Sequence, residues 1–310
     1  MNPPATPKVL YILGAQRSGS TIVGRLAGAL DGFAFGGEMR RLFQRGYGEG
    51  VQCGCGLAHE SCPVWSLAAP AALGGLVPAE ARELQLAAAP DHKSAAALVR
   101  MLARRRPSPD SAATRYAALL GRMYSAFAAA SGAGVVVDGS KQPADAYLAT
   151  RSGLDVYVLH LVRDPRGIAY SLTRRAARPT GTHARETIKA STLWSGRNLT
   201  AWMLRRAVSD NHFLVLHYER VMQDPARALA DIAAFVGEQV APLVVHDGAV
   251  DLPTAHTATN RGRSVADRVV LAPDRNWESA LGTGDYVLTS ALTAPLRWRF
   301  GYRGRPSRTP

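Results

Sequence analysis

Lysine is scarce in this chain. Of its 37 basic residues only Lys8, Lys93, Lys141 and Lys189 are lysines, and the rest are arginines. They are scattered over the whole length amid abundant alanine, so the formal charge of +13 reads as compositional bias of the kind GC-rich coding produces. A nucleic-acid-binding surface would instead cluster basic and aromatic side chains on one element, and no such cluster occurs. The positive field favours a polyanionic small ligand equally well. Long apolar runs are also missing. No stretch of about 18 apolar residues is present, so no membrane-spanning helix is expected. The polar, proline-rich opening Met1–Pro7 and the short, glycine-interrupted apolar segment behind it lack the layout of a secretory signal. A cytoplasmic protein is therefore the expectation. Three cysteines, an odd number, argue against a disulfide framework. Internal repeats are not visible.

The hydrophobic content, 47% of 310 residues, suffices for one large core, and the chain reads as a single domain over 1–310 with an insertion at 46–131. The informative segment is Val9-Leu10-Tyr11-Ile12-Leu13-Gly14-Ala15-Gln16-Arg17-Ser18-Gly19-Ser20-Thr21. It predicts a buried strand, a glycine-bearing loop and then a helix, an arrangement in which loop N–H groups and the helix N-terminus converge on one anion. Gly14 and Gly19 bracket four residues, as in a nucleotide-binding loop, but Ser20 stands where the lysine of such a loop belongs. The basic side chain of the loop is Arg17. A small-molecule kinase of the P-loop type would need that lysine and a metal-binding acid. It stands as an alternative reading, beside a basic nucleic-acid-binding protein and a sulfonucleotide-binding protein without turnover.

Further strands are predicted at 134–138, 155–163 and 212–218, each an apolar or β-branched run bounded by glycine or polar residues. A short apolar piece, Phe33-Ala34-Phe35, precedes Gly36-Gly37-Glu38. Helical patterns occupy 21–30, 143–151, 165–176, 185–208 and 285–298, and the alanine-rich stretch 63–131 reads as helical with a basic break at 104–109. Strands alternating with helices predict an α/β fold, a P-loop-like parallel sheet flanked by helices, with an α-helical insertion.

The predicted strand 155–163 leads into Leu161-Val162-Arg163-Asp164-Pro165-Arg166-Gly167-Ile168-Ala169-Tyr170-Ser171. Arg163 sits where a strand leaves the sheet, the usual place for ligand contacts in open α/β folds. Pro165 suits the first turn of the next helix, with Ser171 about two turns further on. Together with the opening loop, this segment resembles the sulfotransferase superfamily that uses 3′-phosphoadenosine 5′-phosphosulfate (PAPS) as donor. Three other segments extend the resemblance. Val136-Val137-Asp138-Gly139-Ser140-Lys141 looks like the family's Val-Asp-x-Ser-Lys strand end. His217-Tyr218-Glu219-Arg220 with Asp224-Pro225 is similar to its Tyr-Glu-Asp-Leu…Asp-Pro segment. Asn260-Arg261-Gly262-Arg263, with Asp274–Trp277 and Phe300-Gly301-Tyr302, looks like its C-terminal donor-covering region. The Arg-Ser-Gly loop, where cytosolic steroid and phenol enzymes have Lys-Ser-Gly, resembles the bacterial and tyrosylprotein-type branch. A histidine in the cytosolic catalytic arrangement is not evident.

The resemblance implies a metal-independent sulfuryl transfer from PAPS to a hydroxyl or amine of a small-molecule, glycan, lipid or peptide acceptor. The group in flight carries less charge than a phosphoryl group, so cationic side chains suffice, and no Mg²⁺-type acidic cluster accompanies the loop. Arg17 would contact sulfuryl and 5′-phosphate oxygens, with Ser18, Gly19, Ser20 and Thr21 completing the cradle. Arg163 and Ser171 keep the family's eight-residue interval for the 3′-phosphate. Asn260, Arg261 and Arg263 are donor-binding candidates. Glu38 is the candidate general base, in an apolar pocket that raises its proton affinity against the opposing charges of Arg17 and Arg40. Lys141 is the candidate for neutralising the bridging oxygen. No residue is assigned as a ligand of a metal in the reaction. Cys53-x-Cys55, His59 and Cys62-Pro63-x-Trp65 are tighter than common structural zinc spacings, and whether they hold zinc stays open. The insertion helices and the 176–190 loop are expected to shape the acceptor pocket.

Overall fold

The computed structural model describes residues 6–89, 98–99, 101–102, 108–174, 183–241, 243–259 and 268–304. Five strands form one sheet: β1 (Lys8–Gly14), β2 (Phe33–Gly37), β3 (Val135–Lys141), β4 (Asp155–Val162) and β5 (Phe213–His217). Their order is β2-β3-β1-β4-β5 and every pairing is parallel. The expected α/β architecture is therefore what the chain adopts.

β1 occupies the centre because its run of apolar residues is covered on both faces. Val9, Tyr11 and Leu13 point to one side, into a core shared with the helices between β2 and β3. Leu10 and Ile12 point to the other, against Val23 and Leu26 of α1 (Ser20–Ala27) and against Leu229 and Ile232. Insertion helices enlarge the first core, among them α2 (Trp65–Leu73), α3 (Pro78–Ala88) and α4 (Ala112–Ser131). Trp65 packs on Phe127 with ring centroids 4.9 Å apart. At the N-terminus of α4 Ser111 caps the helix, its Oγ accepting from the Thr114 N–H at 3.2 Å.

The strand exits are irregular. The register slips between Tyr11 and Leu13 opposite β3, and between Phe35 and Gly37 on β2. Bulges at this edge turn the chain out of the sheet, and Lys141, the last residue of β3, has a positive φ of 67°.

Helices follow each later strand: α5 (Pro143–Ala149), α6 (Pro165–Thr173) and α7 (His183–Arg205). Two more, α8 (Tyr218–Gln223) and α9 (Pro225–Phe235), follow β5 and were not anticipated. Asp224 caps α9 by accepting from the Arg227 N–H at 3.0 Å, so Asp-Pro was a readable start signal. The expected tail helix 285–298 is two helices, α11 (Thr283–Leu292) and α12 (Ala294–Arg299), after the short α10 (Asn276–Ala280). The break falls at Thr293, and Pro295 in the first turn of α12 has no N–H with which to continue the hydrogen-bond ladder of α11. A small antiparallel pair, β6 (Ala249–Asp251) with β7 (Arg268–Val270), is too short to carry a sequence pattern. Among the described residues no helix is long and apolar enough to cross a membrane.

Candidate functional site

The exits of β1, β2, β3 and β4 bring the candidate residues to one edge of the sheet. β1 ends at Gly14, where a Cβ would lie 2.6 Å from the Leu161 carbonyl oxygen, so the close approach of β4 requires glycine. The loop then bends through Arg17 (φ 68°) and Gly19 (φ 90°) into α1. A Cβ on Gly19 would stand 2.3 Å from the Tyr218 ring. No side chain caps α1, so the first-turn N–H groups are left to a ligand or solvent. Ser18 is 1% exposed, and its Oγ has no hydrogen-bond partner. A buried hydroxyl left in that condition costs about 1–3 kcal/mol, and an anion seated in the loop would relieve it.

Arg163 follows β4 and is 7% exposed. Its Nη1 donates to the Arg17 carbonyl at 3.0 Å and its Nη2 to Asp274 Oδ2 at 2.9 Å. The guanidinium lies over the Tyr218 ring, 4.5 Å from the centroid, and that ring also abuts Gly19. Arg17 Nε donates to Ser171 Oγ at 2.9 Å. The two strand exits are therefore joined: Arg17, expected with the sulfuryl group, reaches the serine expected with the opposite phosphate. The loop amides and Ser18 remain in the cradle, and Thr21 is exposed beside it. Asp274 and Tyr218 were quoted in sequence segments but given no individual role.

Glu38 stands just after β2. The turn before it requires Gly37, whose φ is 74° and whose Cβ would lie 2.7 Å from Thr257 Cβ. Glu38 Oε1 accepts from Lys141 Nζ at 2.8 Å, and its Oε2 from Arg41 Nε at 2.9 Å. Lys141 Nζ also donates to the Gly139 carbonyl at 3.0 Å. The candidate base and the candidate neutralising cation are thus one pair. Lys141 and Arg41 both meet its carboxylate, two cations that the sequence reading had not set against it.

Arg40 is turned the other way, into the core. It pairs with Asp145 at 2.9 Å, both side chains 2% exposed, and Tyr116 donates to the second oxygen of Asp145 at 3.0 Å. Beside them Asp138 Oδ1 accepts from the N–H groups of Met39 (3.3 Å) and Ser140 (2.9 Å) and from the Ser140 hydroxyl, while Oδ2 accepts from Tyr124 at 2.8 Å. Burial pushes the phenols of Tyr116 and Tyr124 upward, so they remain donors. This buried network ties the residue after Glu38 to β3 and fixes the turn that presents the Glu38–Lys141 pair. Sequence reasoning missed it because no local pattern marks which polar residues will be buried together.

Burial lifts Asp138 from the ordinary carboxylate range to about 6, against the opposing pull of its hydrogen bonds. Between about pH 4 and that value the folded chain retains a proton that the unfolded chain has released. The contribution of this group to stability is accordingly present at low pH and falls as pH rises through the window. Asp138→Asn, which keeps the acceptor for Met39 and Ser140, is expected to remove that slope. Urea midpoints of both proteins from about pH 4 to about pH 7 test this, and identical slopes would show that Asp138 does not titrate there.

Asn260, Arg261 and Arg263 lie outside the described residues, as do 176–182 of the expected 176–190 loop, and its remainder is the first part of α7. The chain leading to them is described to Thr259, and the Ala258 N–H donates to the Gly36 carbonyl at 2.8 Å. His59 does not join the cysteines, since its Nε2 faces the Ala258 carbonyl at 3.1 Å. His256 stands with them instead, its Nδ1 3.3 Å from Cys62 Sγ. A cavity of about 880 Å³ lies on the insertion, bordered by Met101, Ser111, Tyr147 and Arg151, and shares no lining residue with the phosphate cradle.

Residues 155–242, from β4 through α9, match the model of a family described as the sulfotransferase family. Solved structures similar to the chain include a sulfotransferase domain of the olefin synthase of Synechococcus PCC 7002, 20% identical, covering 77% of each chain with a TM-score of 0.43. A sulfotransferase domain from the curacin biosynthetic pathway is 14% identical and covers 96% of this chain and 98% of its own, with a TM-score of 0.48. A mouse sulfotransferase complexed with PAP is 10% identical, covering 94% of this chain and 85% of that one, with a TM-score of 0.46. No curated protein sequence matches the chain.

Proposed function

We propose, from the match of residues 155–242 to the sulfotransferase family model, that the chain transfers a sulfuryl group from PAPS to a hydroxyl or amine acceptor. The observation that carries the reading is the meeting of Arg163, Arg17 and Ser171 beside the uncapped N-terminus of α1. Two guanidinium groups, first-turn amides and an orphaned buried hydroxyl form a donor-rich surface, with the Asp274 carboxylate on Arg163 Nη2, and such chemistry suits a nucleotide with more than one phosphate.

When bound, the donor supplies an activated sulfur–oxygen bond whose leaving group is a phosphate. The loop amides of Ser18, Gly19, Ser20 and Thr21 would hold its 5′ end, with Arg163 and Ser171 at the 3′-phosphate. Arg17 spans the two. Asn260, Arg261 and Arg263 extend this set as further donor contacts. Glu38 takes the acceptor's proton as the new bond to oxygen or nitrogen forms. Lys141, already on Glu38 Oε1, stabilises negative charge on the departing oxygen, so one ammonium serves base and leaving group. No residue of this set is assigned to a metal in the reaction.

Titration calorimetry with adenosine 3′,5′-bisphosphate, AMP and ATP tests the donor site. The doubly phosphorylated product nucleotide is expected to bind at least tenfold tighter than AMP, about 1.4 kcal/mol. Preference for ATP with Mg²⁺ would return the reading to a kinase.

A further inference from the structure

Three thiols and one imidazole that the proposed reaction does not use converge at one point. Cys53, Cys55, Cys62 and His256 place their ligand atoms within 4.8 Å of one another. Cys53 and Cys55 lie in a tight turn, closed by the Gly56 N–H on the Cys53 carbonyl at 2.9 Å and by the Cys53 N–H on the Leu57 carbonyl at 2.9 Å. Cys62 follows the short helical turn His59–Ser61. His256 arrives from a segment 194 residues away in sequence.

From this juxtaposition we infer that Cys53, Cys55, Cys62 and His256 form a structural zinc site. A tetrahedral ion with Zn–S of about 2.3 Å and Zn–N of about 2.0–2.1 Å needs ligand-to-ligand edges of about 3.5–3.8 Å. The Sγ atoms of Cys53 and Cys62 are 3.6 Å apart, and Cys62 Sγ is 3.3 Å from His256 Nδ1. All three cysteines are free thiols. Three sulfurs and a nitrogen select a borderline-soft tetrahedral ion over Mg²⁺ or Ca²⁺. Four protein ligands close the coordination sphere, which makes the site structural and leaves no position for a reacting water. Binding deprotonates the three thiols and takes the neutral imidazole lone pair, so up to three protons leave per ion.

The surroundings orient the ligands as an outer shell does. The Trp65 N–H donates to Cys62 Sγ at 3.5 Å, while Trp65 Nε1 donates to the His256 carbonyl at 2.8 Å. His59 is occupied elsewhere: its ring lies between those of Tyr47 and Trp65, with centroids 5.6 and 6.2 Å away. The ion would clip the cysteine loop to residues 255–258. Gly54 N–H donates to the Thr257 carbonyl at 3.3 Å, and Ala258 N–H to the Gly36 carbonyl, two residues before Glu38. The site thus braces the turn of the candidate base and the approach to Asn260, without touching the reacting groups.

The test uses the full-length chain, purified reduced and without a histidine tag. Elemental analysis is expected to find about one zinc per chain. Exchange with Co²⁺ should give the visible bands of a tetrahedral ion and thiolate charge-transfer absorption. Cys55→Ser and His256→Asn should each lower zinc content at least tenfold, whereas His59→Gln should retain it. Should those variants misfold, the cobalt spectrum of the unaltered chain decides by itself. A chain that purifies without zinc and gives no tetrahedral spectrum with Co²⁺ overturns the proposal. So does a Cys53–Cys62 disulfide in the native protein, or loss of metal in the His59 variant with retention in the His256 variant.

Discussion

Replacing Arg163 with alanine is expected to weaken binding of adenosine 3′,5′-bisphosphate by about 100-fold, or about 2.7 kcal/mol. The size follows from its environment. The guanidinium is 7% exposed and is fixed by the Arg17 carbonyl, by Asp274 and by the face of Tyr218. A phosphate meeting such a fork gains charge-assisted hydrogen bonds of about 1.5–3 kcal/mol without having to order a mobile side chain. AMP lacks the second phosphate, so its affinity should change little and the discrimination between the two nucleotides should collapse. Arg163→Lys should recover only part of the loss, because an ammonium cannot present two parallel donors. Calorimetry on the three proteins, with urea midpoints as a control for folding, reads the result. An equal loss for AMP and for the bisphosphate would mean that Arg163 merely braces the loop through the Arg17 carbonyl.

That alternative matters because Arg163 and the loop are coupled. Tyr218 touches both the Gly19 position and the Arg163 guanidinium, and Glu219, the next residue, receives the Asp164 N–H at 3.0 Å and the Tyr302 hydroxyl at 2.7 Å. Asp164 in turn pairs with Arg166 at 2.6 Å, both side chains buried. The exits of β4 and β5 and the tail thus form one polar assembly behind the candidate phosphate contacts. A buried pair of this kind is costly to break, about 3–5 kcal/mol when one partner is removed. Substitutions at Asp164 or Arg166 would therefore report on folding first, and Arg163 is the better probe of the ligand.

The order of the strands was legible because each of the three later strands is an apolar run flanked by punctuation, and the glycine spacing around Arg17 points to an anion loop by chemistry alone. What sequence could not supply was pairing across distance. Arg40 and Arg41 are adjacent, yet one goes to the buried Asp145 and the other to Glu38. The local pattern offered no means to assign them, since a 3₁₀ turn at Met39–Arg41 sets their directions. His59, sitting between the cysteines in sequence, was the natural fourth ligand. The fold instead delivers His256, because the segment before Asn260 crosses the cysteine loop. Arg17 and Ser171 were both marked as ligand contacts, but their hydrogen bond depends on where α6 leaves β4. Local signals did exist for the split of the tail helix, at Pro295, and for the start of α9, at Asp224-Pro225.

Glu38→Gln is expected to lower kcat by about 10²–10⁴-fold, the usual worth of a positioned general base, while binding of adenosine 3′,5′-bisphosphate stays near that of the unaltered chain. The amide preserves volume and one acceptor for Lys141 Nζ, so the turn after Gly37 is not asked to move. It cannot take the acceptor's proton. The pair geometry adds a second expectation, because Lys141 Nζ lies 2.8 Å from Glu38 Oε1 and 3.0 Å from the Gly139 carbonyl. Lys141→Ala should also reduce kcat, by removing the cation from the departing oxygen. Combining both changes should cost less than the product of the two, since residues in direct contact do not act independently. Single-turnover rates with labelled donor and a competent acceptor separate the chemical step from product release. A Glu38→Gln enzyme with an unchanged single-turnover rate would assign the carboxylate to holding Lys141 in place, and proton removal would have to come from the acceptor's own surroundings.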